Sequence, residues 1–508
     1  MGAKRAMRML AVMVLATLAS PVAAAARRTD DPIRVSRTPA TTRTYEGPAV
    51  AIAPDDPERI YVAAADLQDA SCHVFRSSDA GLSFTELDPP DFGKLTDCGL
   101  NRGGLPQNIR MKLAVDSEGV VYWAVAVADP AAGGPRNVVL ARSDDGGDSW
   151  STTLVAEAPI AAQPQDAVTN FVPDLFVNPF DEAPHEVWVS WRRSFTDASG
   201  RVTEGWARRS TDGGKTFGPE LRGIEANPGF DAPRVVTDAE GRAYWFQRER
   251  PARPAEGEEP KPSPLRGARS DDGGQTWQEL QLGEAHLVME EPLAAVSPEG
   301  DALYLAWADG RNGDLDVFFM RSTDAGKNWT DPIRVNSDRR ANKRSQKWPR
   351  MSVAPQGRID VAWYDYRHDA EDVPADDVEF FLGKANDVYL ASSSDGGETF
   401  DEDVRVTDAS IDRSVGTYNT QYFVEVPPGV GSSDRRAFVA WSDTRLGDTE
   451  TSAQDIFGVP MDHRSPTSPG WWLLIGAEVA LALAGVGLLL AVRRRRAVNK
   501  ATASPVPA

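Results

Sequence analysis

The chain has 508 residues, and an apolar share of 41% with 14 Trp and 18 Phe is enough to bury a large core, while 42 Gly and 37 Pro favour many turns over long helices. The formal charge of -20 argues against nucleic acid or an anionic membrane surface as a partner. Five scattered histidines and two cysteines make no zinc-site spacing, so metal hydrolysis with histidine ligands is not expected. In chain order, Lys4, Arg5 and Arg8 precede the apolar run MLAVMVLATLA and the small residues SPVAAAA, so residues 1–26 read as a secretion leader cut near Ala24 to Ala26. In an exported chain, Cys72 and Cys98 are expected to form a disulfide. A repetitive region runs from 31 to 462, followed by a short linker (463–470). Trp471 to Val492 is long enough to cross a bilayer, with Trp471 and Trp472 at one interface and the RRRR run from Arg493 at the other. Its one costly residue is Glu478. The basic tail (493–508) is then cytoplasmic and the bulk of the chain lies outside the cell. A C-terminal sorting signal exchanged for another anchor has the same polar, apolar, basic layout.

The repeat is clearest in six octets: SSDAGLSF from 77, SDDGGDSW from 143, STDGGKTF from 210, SDDGGQTW from 270, STDAGKNW from 322 and SSDGGETF from 393. Around each lie short β-branched or aromatic stretches that alternate as strands do, three before the octet and one after. Four antiparallel strands make one propeller blade, so the fold class is all-β, a β-propeller with one C-terminal transmembrane helix. Counting octets gives six blades. A seventh unit, TQYFVEVPPG followed by RAFVAWSDTRLGDTETSAQDIFGVPM, matches the first three strands and lacks only the octet and its fourth strand. DPIRVSR from Asp31 nearly copies DPIRVNS from Asp331, which follows an octet, so residues 31–37 are expected to complete the last blade and close the ring. Seven blades is the expectation and six the alternative.

Within the octet, the Ser and Asp can accept turn amides, the Gly supplies a positive φ, and the closing aromatic can pack between sheets. S-x-D-x-G-x-x-W/F resembles the Asp box of the sialidase-like (BNR-repeat) propellers, and the six matches span most of the exported chain. That resemblance implies that the boxes are fold elements on the face away from any substrate. It also implies a site on the opposite face, at the loops after second and fourth strands, where the long insertions collect. Sialidases hold a substrate carboxylate with arginines, use a Tyr nucleophile activated by Glu, and protonate the leaving group with a carboxylic acid. By resemblance Arg350 fits the first arginine, Arg367 a second, Asp369 or Asp372 the acid/base, Tyr418 or Tyr422 the nucleophile, and Glu290 or Glu291 its partner. The family's full F-R-I-P motif is missing, and its catalytic domains have six blades.

Aligning first strands on PRVVTDAEG and PRMSVAPQG puts Arg234 and Arg350 at one level of the channel, with Asp174 from blade three, Leu293 from blade five, Tyr422 from blade seven and either Arg110 or Lys112 from blade two. Three second strands end in W-x-D-x-R: Trp307, Asp309 and Arg311; Trp363, Asp365 and Arg367; Trp441, Asp443 and Arg445. Alternation puts each trio on one side of its strand, which suits an Asp–Arg pair bridging blades or a binding set. The blade-six loop adds Asp369, Glu371, Asp372, Asp376, Asp377 and Glu379, which repel an anionic sugar unless a cation such as Ca²⁺ neutralises them. The functional expectation is recognition of a glycan or surface protein ligand; the alternatives are a retaining exo-α-sialidase or related glycosidase, and a structural envelope scaffold.

Overall fold

The computed structural model describes residues 26–463, apart from 29, 37–42, 94, 96–97, 99–110, 129–135, 160–167, 198–199, 225–231, 250–263, 284–291, 373–382, 417–426, 449 and 451–452. Residues 1–25 of the expected leader (1–26), the linker (464–470), the bilayer-length segment (471–492) and the tail lie outside the described residues. Among the described residues there is no α-helix, and no helix long and apolar enough to cross a membrane.

Seven antiparallel sheets follow one another along the chain. From the innermost strand outward, blade one is Tyr45–Ile52, Ile60–Asp66, Ser71–Ser77 and Thr85–Leu87. Blade two is Lys112–Val115, Val121–Ala128, Arg136–Ser143 and Ser151–Ala156. Blade three has three strands, Thr169–Val177, Val187–Asp197 and Gly200–Ser210, with a single bridge from Ala207 to Leu221 where a fourth would lie. The insertion expected there as a loop is a long hairpin, paired out to Asp197 and Gly200. Blade four is Arg234–Thr237, Ala243–Arg248, Leu265–Ser270 and Gln278–Leu280. Blade five is Leu293–Val296, Leu303–Asp309, Asp316–Ser322 and Ile333–Arg334. Blade six is Gln346–Val353, Ile359–Asp365, Ala385–Ser393 and Val404–Arg405, with Ile411–Asp412 also paired to its third strand. Blade seven is Gly429–Ser432, Arg436–Asp443 and Asp455–Asp462, completed by the N-terminal pairs Arg27–Arg28 and Ile33–Arg34. Ile33 pairs with Gly458 and Arg34 with Phe457, so the ring closes where the repeat of DPIRV predicted. Ala26, assigned to the leader by its small neighbours, is 4% exposed and packs in the core between blades six and seven.

Each box turn is fixed in the same way. The Ser hydroxyl donates to the Asp two residues on and accepts the amide of the Gly four residues on; in blade four these are Ser270 to Asp272 at 2.8 Å and Gly274 N to Ser270 at 2.8 Å. The Gly then presses on the preceding blade. A Cβ on Gly147 would lie 2.6 Å from Leu87 of blade one, and one on Gly274 would meet Leu221 at 2.9 Å and Trp188 at 3.0 Å in blade three. Six boxes thereby seal six of the seven blade interfaces. Blade seven has none, and its seam with blade six, apolar in its core, is sealed by charge at the place a box would take. Arg358 grips the fully buried Asp360 at 2.9 to 3.1 Å and donates to the carbonyls of Ser433 at 2.8 Å and Asp434 at 3.0 Å, while Ser432 Oγ donates to Asp360 at 2.7 Å. Cys72 and Cys98 form a disulfide beside the core of blades one and two, as expected.

Candidate functional site

The inner strands set the geometry of the channel. In six blades a proline directly precedes the residue that opens the regular ladder: Pro48–Ala49, Pro173–Asp174, Pro233–Arg234, Pro292–Leu293, Pro349–Arg350 and Pro428–Gly429. Proline is tolerated because the channel edge of an inner strand has no partner to receive an amide. The registers put Ala49, Lys112, Asp174, Arg234, Leu293, Arg350 and Gly429 opposite the equivalent residue of each second strand, so they form one tier. This settles blade two in favour of Lys112 over Arg110, which lies outside the described residues. It also corrects blade seven, where Gly429 occupies the level expected for Tyr422; Tyr422 itself, like Tyr418, lies outside the described residues.

Above the tier three inner strands bulge. The residue before the proline has a positive φ in each: Gly47 at 69°, Val172 at 54° and Trp348 at 51°. A β-branched valine and a tryptophan rarely adopt that conformation, and both are buried, so their surroundings hold them there.

The tier brings three cations around one acid. Arg234 Nε lies 3.8 Å from Asp174 Oδ2, and Arg350 Nη1 donates to the Pro349 carbonyl at 2.8 Å. Burial pushes the Lys112 ammonium below its ordinary value; Asp174 opposes this, and the like charges of Arg234 and Arg350 add to it. Toward the loop face lie further buried polar groups that sequence reasoning missed. Glu46 accepts from Gln454 at 2.7 Å and Ser442 at 3.1 Å. Lys347 sits 5.5 Å from the Trp348 ring and 5.7 Å from that of Tyr366. Arg192 lies over Phe171 at 4.1 Å, and Arg413 donates to the Tyr366 hydroxyl at 2.9 Å. Glu46 and Lys347 stand two residues before the bulge prolines, and that spacing was the available signal.

The remaining candidates fall elsewhere. The W-x-D-x-R trios are internal braces. Trp307, Trp363 and Trp441 donate through Nε1 to Asp309, Asp365 and Asp443 at 3.0, 2.9 and 2.7 Å. Arg311, Arg367 and Arg445 bond back to the same carboxylates and lie 4.4, 3.9 and 4.5 Å from the rings of Phe318, Tyr389 and Phe457 on the third strand. Arg367 also holds Asp403 of its own blade at 2.9 Å, so it is not gathered with Arg350; Arg445 reaches Asp408, beyond the outer strand of blade six, at 2.8 Å. Asp369 is 5% exposed and takes the amides of Glu371, Lys384 and Ala385, which fixes the base of the insertion. Asp372 is exposed and pairs with Arg344 at 3.1 Å. Glu290, Glu291, Asp376, Asp377 and Glu379 lie outside the described residues. Two other trios could gather around a metal, Asp66 with Asp69 and His73, and Asp116 with Glu118 and His185; neither belongs to the blade-six loop proposed for Ca²⁺.

The chain is a seven-bladed β-propeller built on Asp-box repeats. A family model described as BNR/Asp-box repeat matches residues 268–279. No curated protein sequence matches it. Among solved structures it is similar to a protein of unknown function from Dyadobacter fermentans, at 15% identity and a TM-score of 0.45, covering 86% of this chain and 99% of that one. It is similar to the alpha-L-arabinanase of Penicillium chrysogenum at 12% identity and a TM-score of 0.43, covering 86% and 98%. It is also similar to a Hadza microbial sialidase at 15% identity and a TM-score of 0.42, covering 80% and 74%.

Proposed function

We propose that the protein is a surface-held recognition module that binds an acidic glycan at the loop-face mouth of its channel. The observation that carries this reading is the meeting of Lys112, Arg234 and Arg350 around Asp174 in one tier. Like charges held together inside a protein favour an anion there, and a sugar carboxylate suits planar guanidinium donors. Binding is favoured over hydrolysis because Asp369 spends its oxygens on three backbone amides and Arg367 is committed to Asp365 and Asp403. Export and the segment from 471 to 492 would hold the module at the outer face of a membrane.

The test is calorimetric titration of the purified protein with N-acetylneuraminate and glucuronate, with their methyl esters as neutral controls, beside hydrolysis of a fluorogenic sialoside. The reading expects saturable binding of an acid, weakened at least about tenfold (~1.4 kcal/mol) by Arg350→Ala, and no turnover. Turnover abolished by Arg350→Ala would establish the exo-glycosidase instead. Binding of neither acid would sink the proposal.

A further inference from the structure

A nucleophile, a base and an acid meet on blade one, two strands out from the channel tier. Along the third strand, Ser71–Ser77, side chains alternate between the two faces of the sheet. Cys72 turns into the core shared with blade two, so Ser71, His73 and Phe75 turn toward blade seven, where Phe75 packs with Val35, Phe438 and Ile456. Glu86 of the outer strand is opposite Phe75 and shares that face. Ser71 Oγ lies 2.7 Å from His73 Nε2, and His73 Nδ1 lies 2.7 Å from Glu86 Oε1. An ionised Glu86 can only accept, so Nδ1 donates to it, and Nε2 of the neutral imidazole is left as an acceptor for the Ser71 hydroxyl.

The hydroxyl has a second acceptor in Asp69 Oδ1. That oxygen already receives the Ser71 amide at 3.0 Å and the other oxygen of the carboxylate holds Arg43, whereas His73 Nε2 has no other donor among the described residues. Arg43 also bonds Asp66 at 2.8 Å, so a guanidinium already neutralises the acids that could gather a metal with His73. The serine is rigidly mounted. Ala70, directly before it, has a φ of 63°, which a residue with a Cβ keeps only where its surroundings fix it, and its carbonyl accepts the Cys98 amide at 2.6 Å. Cys72, directly after it, is joined to Cys98 by the disulfide. Ser71 is partly exposed, at the loop-face end of its strand.

We propose that Ser71 and His73 form an acyl-transfer site that hydrolyses a carboxylic ester, with Glu86 as the residue that positions His73. Ser71 Oγ bonds to the ester carbonyl carbon as His73 Nε2 takes its proton; the bond to the alkoxide leaving group then breaks, and His73 gives that proton to the departing oxygen. Water, deprotonated by His73, then hydrolyses the acyl-serine, and the proton returns to Oγ. Arg43, one carboxylate away, brings positive charge to the side where the oxyanion forms. With Asp66, Asp69 and Glu86 close by, a neutral ester is favoured over an anionic one. None of this uses Lys112, Arg234 or Arg350, so the site stands or falls apart from the acidic-glycan reading.

The test is reaction of the full chain with a fluorophosphonate, which phosphonylates an activated serine with loss of fluoride, mapped by peptide mass spectrometry beside hydrolysis of p-nitrophenyl acetate. The expected result is an adduct on Ser71 in the folded protein and none in guanidinium. His73→Ala should slow its formation at least about a hundredfold. Glu86→Gln should lower kcat on the ester at least about tenfold with KM little changed, the mark of a group that orients the base. Combining Ser71→Ala with His73→Ala should cost no more activity than Ser71→Ala alone. No adduct on Ser71, an adduct that forms equally fast in His73→Ala or in the denatured chain, or ester hydrolysis undiminished by Ser71→Ala would each overturn the assignment.

Discussion

At the scale of single residues, the box serine does more than its small size suggests. Ser270 is 1% exposed, and its hydroxyl is the acceptor for the buried Gly274 amide while donating to Asp272. Ser270→Ala leaves that amide without an acceptor, which costs about 1–3 kcal/mol by denaturant unfolding; a loss within error would mean that water replaces the hydroxyl. His185 offers a pH-dependent counterpart. It is 3% exposed, with Nδ1 at 3.0 Å from Asp181 and Nε2 at 2.6 Å from Glu118 of blade two; Asp116 and the Ser117 hydroxyl also face it. Burial opposes its protonation, but the bonds to Asp181 and Glu118 outweigh this and raise its pKa. A raised value means that the imidazolium stabilises the folded state fully below the unfolded histidine pKa of about 6.5, and that this contribution fades as pH rises through the folded value. The gap in melting temperature between the natural protein and His185→Gln should therefore be widest near about pH 5 and close above the ordinary histidine range. A gap that widens with pH would refute the assignment.

At the scale of elements, the seam between blades six and seven is the odd one of the seven. Asp360 has no exposure, and although burial alone would raise its pKa, Arg358 and His463 hold it below the ordinary carboxylate value. Its stabilising effect is present above that ordinary value and lost as pH falls through the lowered one. Asp360→Asn leaves the Arg358 guanidinium buried without its charge partner, for an expected loss of about 3–5 kcal/mol, about twice that of deleting any one box serine. Equal losses at the two kinds of seam, measured side by side by denaturant unfolding, would show that charge is not what seals this one. Much of this level was legible in the sequence. Octets marked six blades because a turn stapled by Ser, Asp and Gly permits few substitutes, and Pro–Arg in two first strands fixed the level of Arg234 and Arg350. Blade seven was misaligned because, without an octet to count back from, the aromatic run around Tyr422 was aligned as an inner strand, whereas Pro428–Gly429 marks it. Glu46 and Lys347 escaped notice because a bulge breaks the alternation that predicts which way a strand residue faces. The W-x-D-x-R trios were seen, but their aromatic partners sit on the next strand, at a spacing that loops of varying length conceal.

At the scale of the whole molecule, ring closure decides whether seven blades act as one body. The third strand of blade seven, Asp455–Asp462, is near the end of the described chain, and without the N-terminal pairs it would be an exposed edge able to recruit another copy. Four contacts prevent that: the ladder of Ile33 and Arg34 on Gly458 and Phe457, that of Arg27 and Arg28 on Asp462 and Met461, the Ser36 hydroxyl on Asp455 at 2.5 Å, and Arg34 on the same carboxylate at 2.7 Å. Val35, between them, is fully buried and alone contributes about 1.5–3 kcal/mol of apolar transfer. Protein whose mature chain starts at residue 37 should therefore melt earlier and associate with rising concentration in light scattering, and a peptide of residues 27–37 added in trans should restore both properties. Were the shortened protein monomeric and equally stable, the edge would be protected by some other segment. Restoration by the peptide would instead show that the segment closes the ring by occupying the edge, whether or not it is covalently joined to the chain.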